Sequence, residues 1–218
     1  MIIKQVKVGP MENFAYILGC EKSDEAAIID PGFEAGKLLE MASELSMKVV
    51  AVINTHGHSD HIAENREIVS ETGAKVIAHE LAIFTVDQYI KDREKFKIGD
   101  LTIETVHTPG HSPDSVCFIV NDEIIFTGDT LFVSECGRTD LPGGSNEDMY
   151  NSLVKIMRKK NCQNADKIFN ELTKNTNPVY VSLELDRLFK LYKRGALTEE
   201  EFKQAKKKVL ILNEQIAE

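Results

Sequence analysis

The segment Thr55–His61 constrains the fold and function of this chain more than any other feature. It contains three of the six histidines of the sequence together with one aspartate. Imidazole nitrogens and carboxylate oxygens are the ligands that Zn²⁺, Fe²⁺ and Mn²⁺ accept in proteins. The apolar residues 49–53 predict a buried strand before the segment, and residues 62–69 have a helical pattern after it. The cluster is therefore predicted to lie on a strand-to-helix turn, where several side chains can converge on one point.

Apolar periodicity in the first 160 residues alternates between strand and helix patterns. Strands are predicted at 2–8, 14–19, 26–30, 48–54, 75–78, 100–106, 115–120 and 123–126. Helices are predicted at 34–46, from 62 to near Gly73, at 81–95 and at 147–159. This mixture indicates an α/β protein, in which helices and largely mixed sheets form a layered sandwich.

Beyond residue 160 the sequence has little strand character. Residues 183–193 have a helical pattern that ends at Gly195, and Thr198 with Glu201 forms a capping box that begins a second helix. We therefore predict a helical hairpin. The predicted organisation is a catalytic domain over 1–160, a linker or remnant of that domain's C-terminal part over 161–181, and the hairpin over 182–218.

The overall charge and hydropathy argue against two classes of partner. The formal net charge is −9, which repels polyanions, so we expect no nucleic-acid partner. No apolar run is long enough to span a bilayer, and the N-terminus lacks the layout of a signal peptide. We therefore expect a cytoplasmic protein without a membrane partner, whose four separated cysteines are reduced.

The histidine cluster needs further ligands, because one short loop rarely encloses a metal ion. His111 lies in a turn-rich loop after a predicted strand, and Asp129 directly follows the end of another. Each offers a metal-ligating atom where a strand opens into a loop. For His79 and His107 we expect structural roles, and for Asp30 an anchoring contact to loop backbone near the site.

These motifs together resemble the metallo-β-lactamase superfamily. The matching segments are His56-x-His58-x-Asp60-His61, His111 in Thr-Pro-Gly-His-Ser, Asp129 in Thr-Gly-Asp-Thr, and Asp30-Pro31-Gly32. The stretch from Cys136 to Gly144 resembles the glyoxalase II-like branch, which includes thioester hydrolases and persulfide dioxygenases. The resemblance covers about residues 1–157 and implies an αββα sandwich. The C-terminal helices resemble a SHOCT-type module, which would mediate self-association into a homo-oligomer.

The resemblance also implies a metal site with two lobes. The first lobe would comprise His56, His58 and His111, the second Asp60 and His61, with Asp129 bridging both. Asp60 is the predicted catalytic residue, because it can orient a metal-activated water and move protons. The cofactor would be one or two divalent ions per chain, either Zn or Fe, with Mn as a further option.

Three functions remain open at this point. The leading one is a glyoxalase II-like hydrolase acting on a small-molecule thioester or thiol derivative, since that is the larger class. However, dinuclear members of the superfamily supply another histidine late in the chain, whereas His111 is the last histidine here. A persulfide dioxygenase needs one Fe(II), which the resemblance places on His56, His111 and Asp129. The third alternative is a metal-binding protein with weak or no activity.

Overall fold

The structure, a computed structural model, describes residues 1–11, 13–132 and 135–158. The predicted linker and helical hairpin lie outside these residues. Within them the chain forms two sheets enclosed by helices. None of the helices in these ranges is long and apolar enough to cross a membrane.

The first sheet has six strands in chain order. They are β1 (Ile2–Val8), β2 (Asn13–Cys20), β3 (Glu25–Ile29), β4 (Lys48–Ile53), β5 (Lys75–His79) and β6 (Gln88–Ile90). The strands β1 to β3 pair antiparallel, whereas β3 to β6 pair parallel. The sheet is therefore mixed, as predicted.

The second sheet has four antiparallel strands in the order β10-β9-β8-β7. They are β7 (Lys95–Ile98), β8 (Leu101–His107), β9 (Val116–Val120) and β10 (Ile124–Phe126). Apolar side chains of both sheets, such as Ile29, Ile53, Ile103 and Phe118, form a common core. The two sheets thus pack face to face through the side chains that alternate inward along each strand.

Four α-helices and one 3₁₀ turn complete the described fold. They are α1 (Ala35–Glu44), α2 (Ser59–Ile62), α3 (Asn65–Thr72), α4 (Asn146–Arg158) and the 3₁₀ turn Gly128–Thr130. Leu38 of α1 and Ile68 of α3 pack in a second apolar cluster on the first sheet. Ile156 of α4 packs on the second sheet beside Val106 and Ile119. The predicted αββα sandwich is confirmed.

Two predicted helices differ from the structure. The helix predicted over 81–95 is wrong, because this region contains β6, which pairs with β5, and the beginning of β7. The helix predicted from 62 to Gly73 is interrupted between α2 and α3. The amide of Glu64 donates to the carbonyl of Pro31 at 3.0 Å and not to a preceding helical turn. The loop after β3 thus interrupts the helix that follows the histidine cluster.

Candidate metal centre

The six predicted ligands converge at one edge of the sandwich, where strands of both sheets end. The Thr55–His61 segment follows β4, His111 lies between β8 and β9, and Asp129 follows β10. In each of two groups, the three potential ligand atoms lie within 4.8 Å of one another. The groups are His56, His58 and His111, and His56, His61 and Asp129. The structure therefore brings five of the six predicted ligands together, with Asp60 beside His61, while metal binding by them stays a prediction.

His56 presents a buried nitrogen whose chemistry fits a metal. The Thr55 hydroxyl donates its hydrogen to Asp30 Oδ2 at 2.6 Å, so it accepts from His56 Nδ1–H at 3.1 Å. Nε2 of His56 then carries the lone pair, and it is buried without a hydrogen-bond partner among the described residues. Burial, followed by the charges of neighbouring histidines, lowers the pKa of His56 well below its ordinary value. A neutral, buried and unpartnered nitrogen is what a metal ligand requires.

His111 and His58 face each other across the first lobe. Nδ1–H of His111 donates to the carbonyl of Arg138 at 2.7 Å, which leaves the lone pair on Nε2. That Nε2 lies 2.8 Å from Nδ1 of His58, so His58 donates and His111 accepts. Burial, and then the charge of His111, lowers the pKa of His58. A metal ion bound here would replace the hydrogen between these two nitrogens.

Asp129 directs one carboxylate oxygen toward each lobe. Its Oδ2 lies 3.3 Å from Nε2 of His111, and its Oδ1 lies 3.3 Å from Nε2 of His61. Burial alone would raise the pKa of Asp129, but the hydrogen bond and charge of His61 outweigh it and lower the pKa. Asp129 therefore has the placement of a bridging carboxylate.

Asp30 orients two of the predicted ligand histidines. Its carboxylate is buried and accepts the Thr55 amide at 2.7 Å, which confirms the predicted anchoring of loop backbone. It also accepts Nδ1–H of His61 at 3.1 Å, so Asp30 sets the orientation of His61 directly and of His56 through Thr55. Burial opposes a charge on His61, but Asp30 and Asp129 outweigh it and raise the pKa of His61 to about 10. Sequence reasoning missed this role of Asp30 and Thr55.

Asp60 lies beside the second lobe and is held from another part of the chain. Its Oδ2 is 3.7 Å from Nε2 of His61. The side-chain amide of Asn13, at the start of β2, donates to this same Oδ2 at 2.8 Å. Asn13 was not singled out by the sequence, where it stands 47 positions before Asp60.

The backbone of the Cys-Gly-Arg-Thr-Asp motif lies close to the backbone of Asp129, beside the first lobe. A Cβ atom on Gly137 would lie 1.9 Å from the carbonyl oxygen of Asp129, which leaves room for glycine alone. The Gly137 amide donates to that oxygen at 2.9 Å, and the next carbonyl, of Arg138, accepts from His111. The exposed Arg138 side chain pairs with Asp140 at 2.6 and 2.7 Å. The motif therefore positions both Asp129 and His111.

His79 and His107 stack on each other outside the two ligand groups. Their ring centroids are 4.1 Å apart and their planes differ by 14°. His107 Nε2 donates to the carbonyl of Pro113 at 2.8 Å, and His79 Nδ1 accepts the Leu81 amide at 3.4 Å. Burial, and then the charge of His107, lowers the pKa of His79 to about 4. These contacts agree with the structural roles predicted for both residues.

Comparison with known protein families assigns both parts of the chain. The model of the metallo-beta-lactamase superfamily matches residues 8–161. The model of the Short C-terminal domain matches residues 184–210, which lie beyond the part that the structure describes. The resemblance of the sequence to the metallo-β-lactamase superfamily is thereby confirmed, as is the resemblance of its C-terminal part to the Short C-terminal (SHOCT) domain.

Two of the relatives represent different functional classes. The mitochondrial persulfide dioxygenase of Homo sapiens is 36% identical over 144 residues, which cover 65% of this chain and 57% of the relative. A probable hydroxyacylglutathione hydrolase of Schizosaccharomyces pombe is 36% identical over 137 residues, 60% of this chain and 54% of the relative. The chain thus spans little more than half the length of these relatives. The crystal structure of ETHE1 from Myxococcus xanthus matches with a TM-score of 0.69 and 30% identity, covering 72% of this chain and 70% of that one.

Proposed function

The chain belongs to the metallo-beta-lactamase superfamily, and from this premise we propose that it is a hydrolase that cleaves a small-molecule thioester with two divalent metal ions. The ions would be zinc or iron. The first would be held by His56, His58 and His111, and the second by Asp60 and His61, with Asp129 between them. When bound, such ions lower the pKa of a coordinated water toward ~7 and polarise a carbonyl group.

The observation that carries this proposal is the placement of the Asp129 carboxylate. Each of its oxygens lies 3.3 Å from an imidazole nitrogen, one from His111 and the other from His61. A carboxylate that serves a single ion needs only one oxygen on the metal side. Here both oxygens face ligand nitrogens of different lobes, which favours an arrangement of two ions around one bridging group.

Asp60 is the side chain best placed to handle protons. Its side chain is 22% exposed, whereas that of His61 is 7% exposed, so Asp60 is open to a molecule entering from solvent. Its Oδ2 is oriented by the Asn13 amide at 2.8 Å. A carboxylate held in this way can accept the proton of the attacking water and later pass it to the leaving thiolate.

Metal content and substrate turnover together test the proposal. Protein purified without added metal is analysed for zinc, iron and manganese, and its hydrolysis of S-lactoylglutathione is measured. We expect about two ions per chain and a thiol released with each turnover. Asp129→Ala should lower both, whereas Asp100→Ala, which changes an exposed carboxylate in the β7–β8 turn, should lower neither. Unchanged metal content in Asp129→Ala and His56→Ala would show that the site is assigned wrongly.

A mononuclear iron persulfide dioxygenase is the second candidate. The persulfide dioxygenase relatives support it. His56, His111 and Asp129 form a set of two histidines and one carboxylate, which suits Fe(II) with open coordination positions. About one iron per chain, with O₂ uptake on glutathione persulfide and no thioester hydrolysis, would establish this candidate and refute the hydrolase.

A further inference from the structure

Asn13 connects the β1–β2 hairpin to the second lobe. Its side-chain Nδ2 lies 2.8 Å from Oδ2 of Asp60 and 3.1 Å from the carbonyl oxygen of the same residue. Both neighbours are acceptors, so the NH₂ end of the amide must face them, and each receives one of its two hydrogens. One side chain therefore binds both the backbone and the carboxylate of Asp60.

The bond to the carbonyl replaces a missing helical bond. In a continuous α-helix the amide of Glu64 would donate to the carbonyl of Asp60, four residues earlier. Here the Glu64 amide donates to Pro31 at 3.0 Å, because α2 ends at Ile62 and α3 begins at Asn65. Asn13 thus supplies a donor to a carbonyl that the helix break has released.

The bond to the carboxylate fixes where Asp60 points. The oxygen that accepts from Asn13 is the same Oδ2 that lies 3.7 Å from Nε2 of His61. Without this donor the partly exposed carboxylate could rotate away from the lobe toward solvent. We propose that Asn13 is a positioning residue that aims Asp60 into the second lobe. This inference rests on the proposed two-ion function.

The proposal concerns the second ion and not the first. The first-lobe residues His56, His58 and His111 are oriented by Thr55 and the Arg138 carbonyl. The side-chain hydrogen bonds of Asn13 among the described residues both go to Asp60. Loss of a hydrogen bond that orients a metal ligand typically weakens metal binding by about 10- to 100-fold. Removing the Asn13 amide should therefore weaken binding at the second lobe selectively.

Zinc titration of metal-free full-length protein against a competing chelator tests this selectivity. In Asn13→Ala we expect the Kd of the second Zn²⁺ to rise about 10- to 100-fold, with the first Kd changed less than about twofold. Asn13→Leu keeps the shape and volume of the side chain but has no amide hydrogens, so it should behave like Asn13→Ala. Asn121→Ala serves as the matched control, because Asn121 accepts the Thr102 amide in the β9–β10 turn, away from the site.

Each outcome decides between specific alternatives. A wild-type protein that binds a single Zn²⁺ refutes the two-ion function and this inference with it, before any variant is made. If the wild type binds two ions and Asn13→Leu retains wild-type affinity for both, Asn13 acts through packing and the inference fails while the function stands. Equal weakening of both ions in both Asn13 variants also overturns it, because Asn13 would then support the whole loop. Retention of the first Kd shows that a variant is folded.

Discussion

Asp30→Asn tests directly how the ligand nitrogens are prepared for a metal. Asp30 follows β3 with a backbone φ of +50°, in the left-handed region that aspartate and asparagine tolerate better than most residues. Asparagine also has nearly the same shape as aspartate. The substitution therefore keeps the backbone and packing while it changes one carboxylate oxygen from an acceptor into a donor.

The new amide cannot satisfy its neighbours in either orientation. With its NH₂ group at the Oδ1 position it would face the Thr55 amide, which now donates at 2.7 Å. With NH₂ at the Oδ2 position it would face the Thr55 hydroxyl and Nδ1–H of His61, which donate at 2.6 and 3.1 Å. The hydroxyl could then turn its hydrogen toward His56 Nδ1, which moves the ring hydrogen to Nε2. That tautomer removes the lone pair that a metal would bind.

The expected magnitudes follow from the bonds lost. A hydrogen bond to a charged group contributes about 1.5–3 kcal/mol. Because 1 kcal/mol shifts the melting temperature of a domain of this size by about 2–4 °C, the metal-free variant should melt about 3–12 °C lower. Loss of such an orienting carboxylate should also weaken metal binding by about 10- to 100-fold.

Differential scanning fluorimetry and chelator competition measure the two effects separately. Asp87→Asn is the matched control, because Asp87 is exposed and its Oδ2 accepts the Val76 amide at 2.8 Å, in a different loop. We expect the control to change neither value beyond error. If Asp30→Asn lowers the melting temperature but leaves metal affinity unchanged, Asp30 stabilises the loop only, and the tautomer argument is refuted.

Three further perturbations have defined expectations. Gly32→Ala should destabilise the fold by about 3 kcal/mol in urea unfolding, because its Cβ would lie 1.6 Å from the Asp60 carbonyl oxygen; a wild-type midpoint would contradict this. The pKa of His79, lowered to about 4, means that the unfolded chain binds a proton that native His79 rejects. Stability should therefore fall as the pH drops from about 6.5 toward 4, by at most about 3 kcal/mol, and His79→Gln should flatten this dependence in urea titrations at pH 7.5 and 5. Truncation after residue 181 should reduce the oligomer size measured by light scattering if the C-terminal module mediates association.

The sequence predicted the centre of the site because its signals are local or lie at strand ends. His56 lies three residues after the end of the buried strand β4, and Asp30 directly follows β3, which runs parallel to β4. Parallel neighbours end at the same edge of a sheet, so side chains that follow them meet there. His111 and Asp129 come from strand ends of the second sheet, and their motif context identified them without any knowledge of distance.

The error over residues 81–95 has a specific physical cause. Exposure alternates along this segment, with Ala82, Phe84 and Val86 more buried than Leu81 and Ile83. That alternation is typical of an extended chain, but the exposed positions are also apolar, and Ile83 is 99% exposed. Five of the six residues 81–86 are apolar, which conceals a period of two, and no glycine or proline marks the turns between 81 and 95.

Asn13 could not be found from sequence for a different reason. Its contact with Asp60 depends on the register of the β1–β2 hairpin, in which Asn13 pairs with Val8, and on the break between α2 and α3. No sequence signal fixes the register of this hairpin, or the position of the helix break, to a single residue. Contacts of this kind depend on tertiary packing and become visible only when the strands have been placed.

The two lobes depend on the scaffold in different ways, which bears on the choice between one and two ions. His56 belongs to both ligand groups, and Asp30 orients it together with His61, so substitutions in this network should affect both lobes and combine non-additively. Asp60 differs, because its orientation comes from the β1–β2 hairpin through Asn13. The proposed mononuclear iron site would need only His56, His111 and Asp129, so Asp60→Ala should spare dioxygenase chemistry if that candidate is right and abolish hydrolysis if the two-ion hydrolase is right. Oxygen uptake that survives this substitution would place the chemistry on the mononuclear set, whereas hydrolysis that is lost with Asp60 would show that the second lobe takes part.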